Sequence, residues 1–399
     1  MDFKEEIVMR PSTSCMIFGA YRSVIGIKNT VVLIHSTVGC HWGTMAMHIP
    51  SHLDDVKQAC SVIYENDIIY GGDKALEDAI RLCLEEYKPK ALFIVTGCTP
   101  EIMNDDIKGV IKNIETDIPI IPILSAGFKG DIIKGYIAGI KSLVKNMVDG
   151  EKVKDSINFI GMFSDDFMAE SDILAIKNMF KNKIHINSIL SYDSYENIIN
   201  APRAEYNVVF RGFEQIGKLM EKKFNIPYIV VDYPYGICGT TNFIRSIAQL
   251  FNIDMEDEIK AGEEYATNRL KAVYEYLHSL YGLPVCVVGE STRGQGLSDM
   301  LQGELGLDTD FYNLDKIKEK EKILDDIKNS NAVMVFGSSY EGDIAMELDL
   351  PLIRYTYPVF DTVSISSKSY IGYEGVLYLV EDILNGAMTG TNRREFLYN

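Results

Sequence analysis

The chain has 399 residues, 47% of them apolar, enough for more than one core, so two or three domains are expected. A formal charge of −18 argues against nucleic acid and anionic membrane as partners, and the acidic residues of 254–260 and 316–326 read as solvated faces. No apolar run is long enough to cross a bilayer, the start Met1-Asp2-Phe3-Lys4-Glu5-Glu6 lacks a secretion signal, and the seven scattered cysteines fit a reducing compartment. The expected location is the cytoplasm.

Short apolar runs alternate with helical patterns along the whole chain, the mark of parallel βαβ units. In the first block, strands are expected at 31–36, 67–70, 91–96 and 118–124, and helices at 74–87, 101–114 and 131–146. The pair Gly71-Gly72 is read as ending one strand and opening the next helix. The charged stretch 149–152 reads as a linker. A second block carries strands at 157–162, 183–189, 206–210 and 228–232, with helices at 171–182, 212–224 and 241–251. A long helix over 254–281 leads to a third block, with strands at 285–289, 309–312, 332–336 and 352–355 and a last helix at 374–384. The fold class is therefore α/β, with three successive doubly wound, Rossmann-like parallel-sheet domains over 1–150, 151–281 and 282–399.

Two strand ends carry the chemistry. The run 31–36 leads into Thr37-Val38-Gly39-Cys40, and the run 91–96 into Gly97-Cys98-Thr99-Pro100-Glu101. Open α/β sheets place ligands at the carboxyl ends of their strands. Thr99-Pro100 reads as a helix start, whose positive end favours a thiolate at Cys98. Cys15 follows a polar loop just upstream. Three thiols at one sheet edge suggest an iron–sulfur or a zinc site, although three do not close a tetrahedron. Taken singly, each of these cysteines reads first as a small core residue.

The residues around these cysteines resemble the nitrogenase component 1 family. That family includes the subunits of the molybdenum–iron protein, the cofactor-scaffold pair, the dark-operative protochlorophyllide reductases and the nickel-sirohydrochlorin diamide reductases. Ile34-His35-Ser36-Thr37-Val38-Gly39-Cys40 is similar to its His-Gly-Pro-x-Gly-Cys, and Asp67-Ile68-Ile69-Tyr70-Gly71-Gly72-Asp73-Lys74 to its Asp-Ile-Val-Phe-Gly-Gly-Asp-Lys. Cys98 with Asp105-Asp106-Ile107, Ala126-Gly127-Phe128-Lys129-Gly130 with Gly135-Tyr136, the stretch from Arg354 to Asp361, and Gly372-Tyr373-Glu374-Gly375 resemble further family elements. The resemblance spans essentially the whole chain. It implies that Cys15, Cys40 and Cys98 hold an iron–sulfur cluster, 4Fe-4S or a larger P-cluster-like group, shared with a homologous component 1 subunit in a homodimer, heterodimer or heterotetramer.

The chain also departs from the family pattern. The segment from Asn207 to Gly212 has no cysteine, and that from Pro358 to Gly375 has neither histidine nor cysteine. The ligands of the iron–molybdenum cofactor in nitrogenase α subunits are thus missing, which speaks against dinitrogen reduction by this chain alone. No Gly-x-x-x-x-Gly-Lys-Ser/Thr loop occurs, so an ATPase of the iron-protein kind would be a separate protein.

Arg211, Cys238 and Arg293 are weaker candidates for a substrate cleft. Arg211 ends a strand, Cys238 sits between a strand and a helix, and Arg293 lies in a glycine-rich stretch from Gly289 to Gly296 that reads as an anion-approaching loop. Each also reads as structural. Four of the six histidines, His35, His41, His48 and His52, flank Cys40 as hydrogen-bond or proton donors, or as plain polar surface. Cys60, Cys83 and Cys286 read as core, Cys60 away from any strand end. The functional expectation is a nitrogenase-like reductase subunit that relays electrons from an ATP-dependent, iron-protein-like reductase through its cluster to a substrate in the inter-domain cleft. The alternatives are a metallocofactor-assembly scaffold and a zinc-stabilised α/β protein.

Overall fold

The computed structural model describes residues 15–46, 57–181, 183–317 and 322–389. His48 and His52 lie outside the described residues. Among the described residues, twelve strands form three four-stranded sheets. The first sheet contains β1 (Thr30–His35), β2 (Gln58–Cys60), β3 (Ala91–Thr96) and β4 (Ile120–Leu124), in the order β2-β1-β3-β4. The second contains β5 (Ser156–Ile160), β6 (His185–Ile189), β7 (Tyr206–Phe210) and β8 (Tyr228–Val231), in the order β6-β5-β7-β8. The third contains β9 (Pro284–Gly289), β10 (Asp308–Asn313), β11 (Met334–Gly337) and β12 (Leu352–Arg354), in the order β10-β9-β11-β12.

The same strand order occurs three times, so three Rossmann-like domains follow one another along the chain. In such an order the chain winds outward in both directions from the pair β1/β3, and equally from β5/β7 and β9/β11. The carboxyl ends of each such pair flank a topological switch point, where the helices on either side part and leave a crevice.

The chain packs as two compact units, one reaching to Asp165 and joined by Ile186–Asn207 and Gln215–Tyr228, the other made of Asp166–His185, Val208–Glu214 and the described chain from Ile229 on. In the first unit, β1 and β3 are buried along their whole length, which is why they read as continuous apolar runs. Val31, Leu33, Leu92 and Ile94 face the helices Asp73–Tyr87 and Ile107–Lys112 through Leu76, Ile80, Ile107 and Val110. In the second unit, Cys286, Val288 and Val335 of the third sheet pack on Ile323, Ile327 and Ile344. No helix among the described residues is long and apolar enough to cross a membrane.

The helix Met16–Ile25 is buried at every position and lies against Ile132–Asn146. Glycine makes that approach possible. A β-carbon on Gly135 would stand 2.0 Å from the carbonyl oxygen of Met16, and one on Gly19 1.8 Å from that of Ile132. We expect Gly135→Ala to destabilise the chain by about 1–3 kcal/mol, since backbone cannot yield as a side-chain tip does, and a fall in the chemical-denaturation midpoint would show it.

Four expectations change. Residues 67–70 are not a strand; they belong to a short helix, Glu65–Tyr70, in which Asp67 accepts the Tyr64 N–H at 2.9 Å. Gly71 therefore ends a helix, with a φ of 97° that favours glycine. The second strand of the sheet is Gln58–Cys60 instead, an edge strand paired on one side only and hence lacking an apolar run. The helix expected over 101–114 breaks at Asn104, which adopts a left-handed conformation between Cys98–Met103 and Ile107–Lys112. The long helix ends at Leu270 and continues as a 3-10 turn and the short helix Tyr274–His278. Finally, the glycine-rich stretch around Arg293 is not a loop; it opens the helix Ser291–Gly303.

Candidate functional site

The thiols gather along the carboxyl edge of the first sheet. Cys40 lies in the first turn of the helix Val38–Ala46 that follows β1, and Cys98 begins the helix that follows β3. Because His35 pairs in register with Thr96, the two strand ends are level. Cys15 reaches the same edge from the other side, as the residue before Met16–Ile25 and the bridge partner of Asp131. All three are half-buried, with no disulfide.

Gly127 is the pivot between Cys15 and Cys98. A β-carbon there would lie 2.9 Å from Cys15 Sγ and 3.2 Å from Cys98 Sγ, so the two sulfurs stand no farther apart than about 6.1 Å. Any side chain at this position would fill the space between the thiols. The backbone N–H of Gly127 donates to Cys98 Sγ at 3.1 Å. A β-carbon on Gly97 would lie 3.7 Å from Cys40 Sγ. Burial raises the pKa of the Cys15 thiol, and the charges of Cys40 and Cys98 add to the rise. Among the described residues, no three His, Cys, Asp or Glu side chains are close enough to hold a single metal ion.

Glu101 holds the turn that carries Gly127. It accepts from the Ala126 N–H at 2.8 Å, from the Thr96 hydroxyl, and from the Lys129 ammonium. This carboxylate ties the end of β3, the Cys98 helix and the turn Gly127–Lys129 together. Its place three residues after Cys98 was the only hint of it in the sequence.

Behind the thiols lies a buried polar latch. His35 is fully buried, with Nδ1 2.7 Å from Ser61 Oγ and Nε2 3.2 Å from Asp105 Oδ2. Asp105 also accepts the Gly72 N–H at 3.1 Å, and Asp73 accepts the Asp106 N–H at 3.0 Å. A β-carbon on Gly72 would collide with Asp105 Oδ2 at 2.4 Å. The motif pieces Gly72-Asp73 and Asp105-Asp106 are thus one lock, closed by the left-handed turn at Asn104.

Burial lowers the pKa of His35, with Asp105 opposing it. A neutral buried His stabilises the fold above its ordinary pKa of about 6.5, and that contribution fades as the pH falls below it. His41 is lowered by burial too. We expect the denaturation midpoint to drop between about pH 7.5 and about pH 5.5, and to drop less in His35→Asn.

The edge is ringed by exposed apolar side chains. Val38 and Trp42 stand beside Cys40, Ile102 beside Cys98, and Phe128 beside Gly127; Trp42 is 66% exposed and Phe128 60%. Ile68, Ile69 and Tyr70, on the short helix Glu65–Tyr70, are exposed too, Tyr70 at 85%.

The weaker candidates are not drawn into this edge. Arg211, at the end of β7, is taken up by Asp232, with Nε–Oδ1 at 2.5 Å and Nη2–Oδ2 at 2.8 Å. Arg293 is buried; its guanidinium binds Asp172 at 2.9 Å and the Tyr233 hydroxyl at 2.9 Å, with Asp166 at 3.4 Å. Cys238 is exposed in the first turn of the helix Gly236–Phe251. Its N–H and that of Ile237 donate to Glu304, at 2.9 and 2.8 Å, beside a cleft of about 350 Å³ lined also by Asp232 and Asp299. Glu304 occupies the helix end where an anion would sit. Cys83 and Cys286 are buried, as core residues should be. Cys60, by contrast, is half-buried and ends β2, not away from strand ends as its sequence context suggested.

Comparisons with known proteins agree with this architecture. The family described as nitrogenase component 1 type oxidoreductase matches residues 15–388. The chain is 28% identical to a nitrogenase iron-molybdenum cofactor biosynthesis protein, NifE, of Clostridium pasteurianum, over 93% of this chain and 86% of that protein. It is 25% identical to the nitrogenase molybdenum-iron protein beta chain of Methanococcus maripaludis, over 95% and 94%. The solved structure "Nitrogenase Cp1 at pH 6.5" superposes with a TM-score of 0.80 at 17% identity, over 97% of this chain and 95% of that one, which supports the fold. The chain belongs to the family of nitrogenase component 1 type oxidoreductases.

Proposed function

We propose that the chain is a nitrogenase-like oxidoreductase subunit that holds an iron–sulfur cluster on Cys15, Cys40 and Cys98 and relays electrons to a substrate bound elsewhere in its assembly. The observation that carries this reading is the approach of Cys15 and Cys98 on either side of Gly127, with Cys40 beside Gly97 at the end of the neighbouring strand, at the first switch point. The donor set is all sulfur, and a glycine keeps open the space a side chain would close. When bound there, the cluster would supply one-electron redox chemistry.

The chain's own residues prepare the place. Gly127 N–H donates to the Cys98 sulfur and fixes its position at the end of β3. Glu101 fixes the turn that presents that N–H. The apolar rim of Val38, Trp42, Ile102 and Phe128 is suited to a homologous subunit, a copy or a diverged relative, which would exclude water from the thiols. Without a phosphate-binding loop of its own, the chain would depend on a separate ATP-dependent reductase of the iron-protein kind.

A second reading, an assembly scaffold that passes a metallocofactor on, is favoured by the similarity to the cofactor biosynthesis protein of Clostridium pasteurianum. The test is anaerobic. The iron-loaded chain, with its partner subunit, is mixed with an iron-protein-type reductase, MgATP and dithionite, and then with an acceptor apoprotein. Repeated reduction and reoxidation of bound iron with the metal retained supports the relay. Transfer of metal to the acceptor with no repeated cycling overturns it in favour of the scaffold.

A further inference from the structure

The long helix expected over 254–281 stops early, and the break leaves a groove. The helix Glu256–Leu270 and the last helix, Gly372–Thr389, pack side by side. They meet closely near Tyr373, where a β-carbon on Gly262 would stand 2.1 Å from the tyrosine ring. At Leu270 the first helix gives way to the 3-10 turn Lys271–Val273, while its neighbour runs on to Thr389. Between them lies a groove of about 550 Å³, with Leu270, Val273, Leu377 and Leu384 among its apolar lining. The rings of Tyr265 and Tyr276 also line it and are 44% and 43% exposed. Two carboxylates of the last helix, Glu374 and Glu381, face the same space. Glu374 accepts from the Tyr378 hydroxyl at 3.2 Å, and Glu381 makes no ion pair among the described residues. The Arg269 guanidinium is held over the Tyr265 ring, 5.8 Å from its centre.

The sequence that follows the last helix matches this lining. The described chain ends at Thr389, next to Met388, which itself lines the groove. Ten residues follow, Gly390-Thr391-Asn392-Arg393-Arg394-Glu395-Phe396-Leu397-Tyr398-Asn399. Glycine directly after a helix is the residue type at which chains commonly leave it and turn back. A chain turning back here runs along the groove, gaining at most about 3.3 Å per residue beside a helix that rises about 1.5 Å. On that scale Arg393 lies about 13 Å from Thr389 along one path, and Glu381 about 12 Å along the other. Phe396 reaches at most about 23 Å, the level of Leu377 and Glu374 at about 18 and about 22 Å. Basic residues thus come level with the acidic wall, and the apolar cluster with the apolar lining.

We propose that residues 390–399 of the same chain dock in this groove, with Arg393 and Arg394 at Glu381 and Phe396, Leu397 and Tyr398 on Leu270, Val273 and Leu377. The docked segment covers apolar and aromatic surface of a kind that seldom stays open to water without a partner. It clamps the last helix to the short elements after Leu270. The proposal is independent of the iron–sulfur reading.

The test uses the full chain carrying the photo-reactive residue benzoylphenylalanine in place of Leu397, prepared as a mixture of isotopically light and heavy copies. Cross-linked peptides are identified by mass spectrometry. Cross-links from position 397 to residues 265–276 or 377–384 are expected, joining light to light and heavy to heavy. Light-to-heavy cross-links at the groove would show a second copy filling it and overturn the proposal, as would a groove that captures no cross-link. Amide hydrogen exchange gives a second readout. Replacing Phe396, Leu397 and Tyr398 with serine is expected to speed exchange over residues 271–278 about tenfold or more, since burying even one large apolar side chain is worth that factor. Glu381→Arg should speed it too, and Arg393→Glu with Arg394→Glu in the same chain should slow it again. Unchanged exchange in the serine variant, or no recovery when the charges are exchanged, overturns the proposal.

Discussion

Replacing Cys98 with alanine is expected to abolish the iron–sulfur signal of the protein while leaving its fold intact. Cys98 is the thiol most completely built into the site: it starts a helix at the end of a central strand and receives the Gly127 N–H. A ligand that supplies one of only a few metal bonds is not replaced by water without loss of the group. The fold, in contrast, leans less on this sulfur, which is only half-buried, than on the buried Cys83 packed against β1 and β3. We expect Cys98→Ala, and equally Cys15→Ala and Cys40→Ala, to lose bound iron and the resonance signal, with a denaturation midpoint near that of the metal-free parent. Cys83→Ala should show the reverse: iron retained and the midpoint lowered. Iron content, resonance spectra and denaturant titration on the four variants separate the two behaviours.

The second large effect is expected at Arg293, and it concerns stability. Its guanidinium is buried with Asp172 and Asp166, over the ring of Tyr233 and 3.4 Å from the Tyr235 hydroxyl. Asp172 also accepts from the Ser369 hydroxyl at 2.7 Å. Removing one member of a buried ion pair costs about 3–5 kcal/mol, because the remaining charge is left in the interior. Arg293→Ala should therefore lower stability by about that amount, against about 0–1 kcal/mol for Arg211→Ala at an exposed pair.

The pH dependence gives the sign independently. Burial raises the Asp172 pKa, and Arg293 pulls it back. Without Arg293 the folded-state pKa rises farther above the unfolded one. Such a group stabilises below its unfolded pKa and loses that contribution as pH climbs through the folded value. The deficit of Arg293→Ala should thus be larger at about pH 8 than at about pH 5. Denaturant titrations at the two pH values test this.

Much of the fold was legible because burial leaves a clear mark. β1 and β3 are covered on both faces, and their apolar runs place them within one residue of their observed bounds. β2 left no such mark, because an edge strand of three residues pairs on one side and is only half-covered. Its apolar neighbours Ile68, Ile69 and Tyr70 drew the strand assignment instead, although they sit exposed on a short helix. The error at Cys60 followed directly, since a thiol cannot be placed at a strand end when the strand is missed.

At the site, the Gly-Cys pairs showed where Cys40 and Cys98 would lie, because strand–turn–helix transitions are local. The roles of Gly127 and Glu101 depend on residues some 25 to 112 positions away meeting at one edge. Arg293 was misread for a related reason: three glycines within eight residues suggested a loop. In the structure Gly294 and Gly296 lie within a helix, where β-carbons would strike the Phe311 ring and the Tyr233 carbonyl.

The most direct test of the central claim is the metal and labile-sulfide content of the wild-type chain purified without oxygen. The account predicts a brown protein with iron and acid-labile sulfide in comparable amounts and a redox-dependent paramagnetic signal. A colourless protein carrying stoichiometric zinc, with no labile sulfide and no such signal, would contradict it.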